Sequence, residues 1–208
     1  MSRVLMGPGS MIHLHRRDRG DTAFGRSFPG VPDVATIVAV GPFDDLEHAQ
    51  HLAAMFIAVQ RTCLTELVLL GTGVGRSLVV RRAAERALQT RLVLVEEPVG
   101  QRRSQLLATA DLVIPGPGTM ADSLVEVMAA SRAVVAPANA VTAELVMPHS
   151  AGLLYAPGDV SAMTAAVARL LAHPELRHQM GSRASQVAQR HRMHPLSGQW
   201  PDDEKKYA

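Results

Sequence analysis

Between residues 33 and 192 the chain repeats one pattern: a short apolar run, then a longer stretch with helical spacing. The runs are Ala35–Val40, Leu67–Leu70, Leu92–Val95, Leu112–Ile114, Ala133–Ala136 and Leu153–Tyr155. Each is rich in Val, Ile or Leu and lacks polar alternation, which is the mark of a parallel strand covered on both faces. The stretches between them read as helices. Asp44 with Glu47 three residues on has the form of a capping box. Leu46, Ala49, Leu52, Ala53 and Phe56 then share one helical face. Asp159 is a second N-cap, ahead of an apolar stripe of Val160, Met163, Val167, Leu170 and Leu171. Pro174 ends that helix or starts the next. Strand and helix in alternation predict an α/β, Rossmann-like, doubly wound parallel sheet of about six strands with right-handed crossovers.

The flanks differ. Residues 1–32 carry little periodicity and read as an irregular lead-in, and residues 193–208 as a loose polar tail. The 208 residues suffice for one full domain, and 47% hydrophobic with 19% charged residues argues against disorder. A formal net charge of +2 makes no case for nucleic acid or an anionic membrane. The positive charge is nearly all arginine, the only lysines being Lys205 and Lys206. One cysteine, Cys63, excludes an internal disulfide framework, and it reads as a small buried apolar group. Neither a signal-peptide core nor a membrane-length apolar run is present, so the expected location is cytoplasmic.

In an open α/β sheet, ligands bind beyond the carboxyl ends of the strands. Three turns there carry glycine: Gly41-Pro42, Gly71-Thr72-Gly73-Val74-Gly75 and Pro115-Gly116-Pro117-Gly118-Thr119. Glycine admits close backbone approach, and N–H groups opening the next helix favour an anion. The middle turn, with Glu96 or Glu97 beyond the following strand, allows a dinucleotide-binding reading of the NAD type. Against it, the fingerprint needs glycine at its sixth position, where Arg76 stands. Glu47, His48 and His51 have helical spacing that could hold a metal, although such groups are usually solvated, and no metal site is assigned.

The wording of the second half is more specific. Ala110-Asp111-Leu112-Val113-Ile114-Pro115, the Gly/Pro turn, Leu124-Val125-Glu126-Val127-Met128-Ala129-Ala130, Ala133–Pro137 and Gly152–Asp159 resemble the nucleotide-sugar half of a family 4 retaining glycosyltransferase of GT-B fold. The resemblance covers roughly residues 34–192. It implies a nucleoside-diphosphate sugar as substrate, with no separate cofactor, and a hexosyl transfer. It makes Glu126 the acceptor of hydrogen bonds from the donor's ribose hydroxyls, a role that suits a carboxylate facing a vicinal diol. Donor-binding candidates are therefore Glu126, Gly41, Gly71, Gly73, Gly118 and Thr119, and no catalytic residue is assigned. Three positions depart from the family pattern. Gly118 replaces a glutamate near the donor sugar, and Pro42 and Glu47 replace an arginine and a lysine that neutralise the leaving diphosphate. Arg76, Arg102 or Arg103 could supply compensating charge, although solvated surface positions are the plainer expectation for them.

Two function classes follow. The chain is a glycosyltransferase unit whose acceptor domain comes from a partner chain or another copy, or it is a catalytically inactive binding or scaffold module with a glycosyltransferase shape.

Overall fold

The computed structural model describes residues 34–96 and 100–193. The expected lead-in, the tail from residue 194 on and Glu97 lie outside the described residues. Six strands form one sheet: β1 (Ala35–Val40), β2 (Thr65–Leu70), β3 (Leu92–Val95), β4 (Leu112–Pro115), β5 (Ala133–Pro137) and β6 (Gly152–Tyr155). All neighbours are parallel, in the order β3-β2-β1-β4-β5-β6. Chain order reverses between β1 and β4, which puts the switch point at the carboxyl ends of those two strands.

The helices are α1 (Leu46–Val59), α2 (Gly75–Ala84), α3 (Gln101–Thr109), α4 (Ala121–Ala129), α5 (Ala140–Leu145), α6 (Val160–Ala172) and α7 (Pro174–Met193). They cover the sheet in two layers. One core packs α1 and α6 on one face, around Ile37, Leu52, Phe56, Leu67, Ile114 and Val167. The other packs α3, α4 and α7 on the opposite face, around Val38, Leu107, Val113, Leu124, Met128 and Ala184. Residues of a strand alternate between the two cores, so β1, β4 and β5 are buried throughout or nearly so, as an apolar run without alternation requires. The edge strands β3 and β6 are only partly covered.

Local chemistry sets the helix starts. The cap of α1 is Asp45 and not Asp44: its Oδ1 accepts from the His48 N–H at 3.0 Å. The helix thus begins one residue later than the Asp44–Glu47 spacing suggests. Leu46, the first helical residue, is exposed rather than part of the apolar face, while Met55 and Val59 join the buried face. Asp159 caps α6 as expected, accepting from the Ala162 N–H at 2.8 Å. Pro174 opens α7, where its missing N–H is not needed. Asn139 and Thr142 form a capping box at α5, and the Asn139 Nδ2 also donates to the Pro117 carbonyl at 3.3 Å. That bond ties the β4–α4 turn to the end of β5.

At the opposite, amino end of the sheet, Asp111 is buried. Its Oδ2 accepts from the Thr36 N–H at 2.7 Å and its Oδ1 from Arg177 Nη2 at 3.1 Å. Arg177 also donates to the Leu170 carbonyl at 3.1 Å, near the end of α6. One side chain therefore joins β1 and β4 to the α6–α7 corner. Cys63 is half-buried at the edge of the first core, more exposed than the sequence suggests.

Candidate functional site: the carboxyl rim

The three glycine turns do meet at the carboxyl rim, but Phe43 stands among two of them. Its residue exposure is 1%, and the Gly75 N–H donates to its carbonyl at 2.7 Å while its own N–H donates to the Thr72 carbonyl at 2.9 Å. A Cβ on Gly73 would lie 2.5 Å from the Phe43 carbonyl carbon, and one on Gly41 would lie 2.8 Å from the Phe43 ring. Gly71 has φ +123° and Gly73 φ +134°, and a Cβ on Gly71 would lie 3.2 Å from the Gly41 Cα. Gly41, Gly71 and Gly73 are thus packed against the chain's own backbone. The Gly75 N–H, in the first turn of α2, donates to Phe43, which leaves one donor fewer for the pyrophosphate of the dinucleotide reading.

The third turn is different. A Cβ on Gly118 would meet nothing within 4 Å, so the position opens to space. Beside it Thr119 is 8% exposed, and its Oγ1 is buried without a hydrogen-bond partner. Met120, the N-cap of α4, supplies no side-chain cap. The start of α4 therefore offers backbone N–H groups beside open space at the switch point, next to the buried Thr119 hydroxyl.

Glu126 sits farther along α4 and is about one-third exposed. Its Oε2 accepts from Arg103 Nε at 3.0 Å. Arg103 itself is buried, which corrects the expectation of a solvated surface group. It lies on α3, and the pair ties α3 to α4 while leaving the other Glu126 oxygen available for a further bond. Glu126 lines a cavity of about 280 Å³ with Asp122, Val125, His191 and Arg192. The end of α7 thus brings His191 and Arg192 to a helix that they are remote from in sequence. Arg102 is exposed. Arg76, in the first turn of α2, has a buried Nε without a partner. Burial lowers its pKa from the ordinary arginine value, opposed by the charge of Glu96.

A second cavity, of about 210 Å³, lies between the start of α1 and the ends of β4, β5 and β6. Glu47, His48, Pro117 and Tyr155 are in its wall. Glu47 is mostly exposed and its Oε1 is 3.9 Å from His51 Nε2. Among the described residues, no group of three or more His, Cys, Asp or Glu could hold a metal ion. His48 is buried, and burial lowers its pKa, with Asp45 opposing and His51 adding to the effect. The unfolded chain then binds a proton at His48 more readily than the folded one, so folding stability is lost as pH falls below about 6.5 through the folded value. Melting temperatures between pH 7 and 5 should fall less steeply for His48→Gln than for the parent protein.

Three of the large apolar side chains most exposed among the described residues, Leu46, Val74 and Met120, stand at the starts of α1, α2 and α4. All three starts follow the carboxyl ends of strands, so the rim carries apolar groups as well as polar ones.

A doubly wound parallel sheet with an open helix start at its switch point defines a domain of nucleotide-binding shape. Comparison with known proteins makes the class specific. The family model for "Glycosyl transferases group 1" matches residues 34–173, and the chain belongs to that family. No curated protein sequence matches the chain. Among solved structures, sucrose-phosphate synthase from Thermosynechococcus elongatus superposes with a TM-score of 0.65 at 23% identity, over 75% of this chain and 41% of that one. Anabaena HepE, solved in complex with UDP and glucose, gives 0.65 at 18% identity, over 74% and 43%. The C-terminal domain of the group 1 protein LpcC from Francisella tularensis gives 0.61 at 13% identity, over 76% and 84%. The fold is that of the C-terminal domain of a GT-B glycosyltransferase. The chain matches only about two fifths of the length of the first two of these proteins. No described helix is long and apolar enough to cross a membrane.

Proposed function

We propose that this domain holds the nucleoside-diphosphate part of a glycosyl donor at the start of α4, for hexosyl transfer to an acceptor bound elsewhere. The observation that carries the reading is the buried, partnerless hydroxyl of Thr119 next to the open position at Gly118, at a helix start without a side-chain cap. Backbone N–H groups there suit a diphosphate. Glu126, on the same helix, has one oxygen committed to Arg103 and one that can accept from a ribose hydroxyl. Anabaena HepE, part of which has a like fold, was solved in complex with UDP and glucose, which supports a uridine nucleotide as the first donor to try.

The acceptor side comes from a second domain, a partner chain or another copy. The partial match to longer enzymes and the apolar Leu46, Val74 and Met120 on the rim support this. Glu47 favours the alternative that the chain binds but does not catalyse: it puts a carboxylate where the family has a diphosphate-neutralising lysine.

Calorimetric titration of the full chain with UDP, GDP, ADP and UDP-glucose tests the proposal. One of them should bind, and Thr119→Val and Glu126→Gln should each weaken that binding about tenfold. Gln is the right replacement at 126, because it retains an acceptor for the buried Arg103. Should none of the four bind, the donor reading is lost. Nucleotide binding with no turnover in the presence of a separately supplied acceptor domain would select the non-catalytic alternative.

A further inference from the structure

We infer that Arg103 is a positioning residue for the candidate site: it holds one oxygen of the Glu126 carboxylate and so fixes the other to accept from a ribose hydroxyl. The inference rests on the nucleotide reading of α4 and adds to it the group on which ribose recognition depends.

Packing alone does not call for an arginine at this position. Residue 103 opens the buried stripe of α3, and Leu106, Leu107 and Ala110, which follow it at helical spacing, belong to the core on that face. The guanidinium lies in the first turn of α3, where the helix dipole disfavours a cation, and no side chain caps that helix start. Burial adds a desolvation cost, since Arg103 is 6% exposed. A methionine would fill the same slot with neither penalty. What the arginine supplies and methionine does not is a fixed donor to Glu126, from Nε to Oε2 at 3.0 Å.

Glu126 needs such a hold. Its side chain is 36% exposed against 8% for that of Arg103, so the arginine is the anchored member of the pair. Asp122, one helical turn earlier on α4, lines the same cavity and repels the carboxylate. Arg192, at the end of α7, lines it too and offers a rival cation, but an exposed one. The Nε–H of a planar guanidinium points in a set direction, so it orients a carboxylate as a mobile charge would not. With Oε2 held in this way, Oε1 is left to accept from a sugar hydroxyl.

The test is calorimetric titration of the full chain with UDP, GDP and ADP, each beside its dideoxy form, which lacks both ribose hydroxyls. For the nucleotide that binds, the dideoxy form should bind the parent protein about tenfold more weakly. In Arg103→Met that gap should shrink to about threefold or less, through weaker binding of the nucleotide and not of its dideoxy form. The solvent access of Glu126 keeps its charge from being stranded in this variant, and Arg103→Leu carries the same readout if the Met protein does not fold. Arg103→Gln has an N–H donor at the same distance along the side chain as Nε and should recover part of the gap. Glu126→Gln should shrink the gap as well, and adding Arg103→Met to it should bring no further loss. A purely structural arginine would weaken both forms alike or neither, so a gap of parental size in Arg103→Met overturns the inference. A nucleotide that binds the parent protein with no gap overturns it too, because ribose is then not read, while the diphosphate position on α4 stands. Absence of binding by all three nucleotides is the separate result that removes the donor reading, and this inference with it.

Discussion

Asp111→Ala should cost about 3–5 kcal/mol of folding stability, the range for removing one partner of a buried ion pair. Asp111 takes the Thr36 N–H with one oxygen and Arg177 with the other, at 2.7 and 3.1 Å. Alanine leaves the Arg177 guanidinium without this carboxylate and opens the joint between β1, β4 and the α6–α7 corner. The carboxylate also orients Arg177 toward the carbonyls that close α6, so alanine loses two connections at once. Asp111→Asn keeps one acceptor and should lose noticeably less. Urea unfolding of both variants, with Arg177→Ala and the double mutant, measures the coupling. A coupling within error of zero would show that the pair contributes shape and not energy. Because the knot lies at the amino end of the sheet, nucleotide affinity should be unchanged in Asp111→Asn.

The second large effect is expected at Gly73. Alanine there meets three Phe43 backbone atoms at 2.5–2.8 Å, in a backbone conformation with φ +134° that side chains rarely adopt. Overpacking of this kind costs about 1–3 kcal/mol, and a sparsely populated φ adds about 1–3 kcal/mol. Gly73→Ala should therefore lower stability by about 2–6 kcal/mol, read as a drop in the urea midpoint. Relief by smaller side chains is not open, because the clashing atoms are main chain. A loss of nucleotide affinity with stability intact would instead make Gly73 a ligand contact and contradict the packing role.

The strands were legible because burial on both faces removes polar alternation, and that mark survives in sequence. β1 and β3 have the bounds expected for them. β2 starts two residues earlier than its apolar run, at Thr65, since Thr65 and Glu66 pair with Ala35 and Thr36 through the backbone and need no apolar side chain. At α1, two adjacent aspartates offered equal caps, and only the local geometry selected Asp45. α5 escaped because its six residues are too few for periodicity to show. Within the site, Gly118 and Thr119 could be singled out from the glycine turn and Glu126 from the family resemblance, yet the partnerless state of the Thr119 hydroxyl could not. The Arg103–Glu126 pair spans 23 residues and depends on how α3 lies against α4. His191 and Arg192 come from the far end of α7, and no short-range spacing announces their approach to Asp122 and Glu126.

Phe43 has one more consequence. By wedging main chain between the first two crossovers, it makes the mouth of the sheet lopsided: closely packed above β1 and β2, hollowed from β4 toward β6. Because the atoms packed against Gly73 are main chain, the barrier there cannot swing aside as a rotamer does.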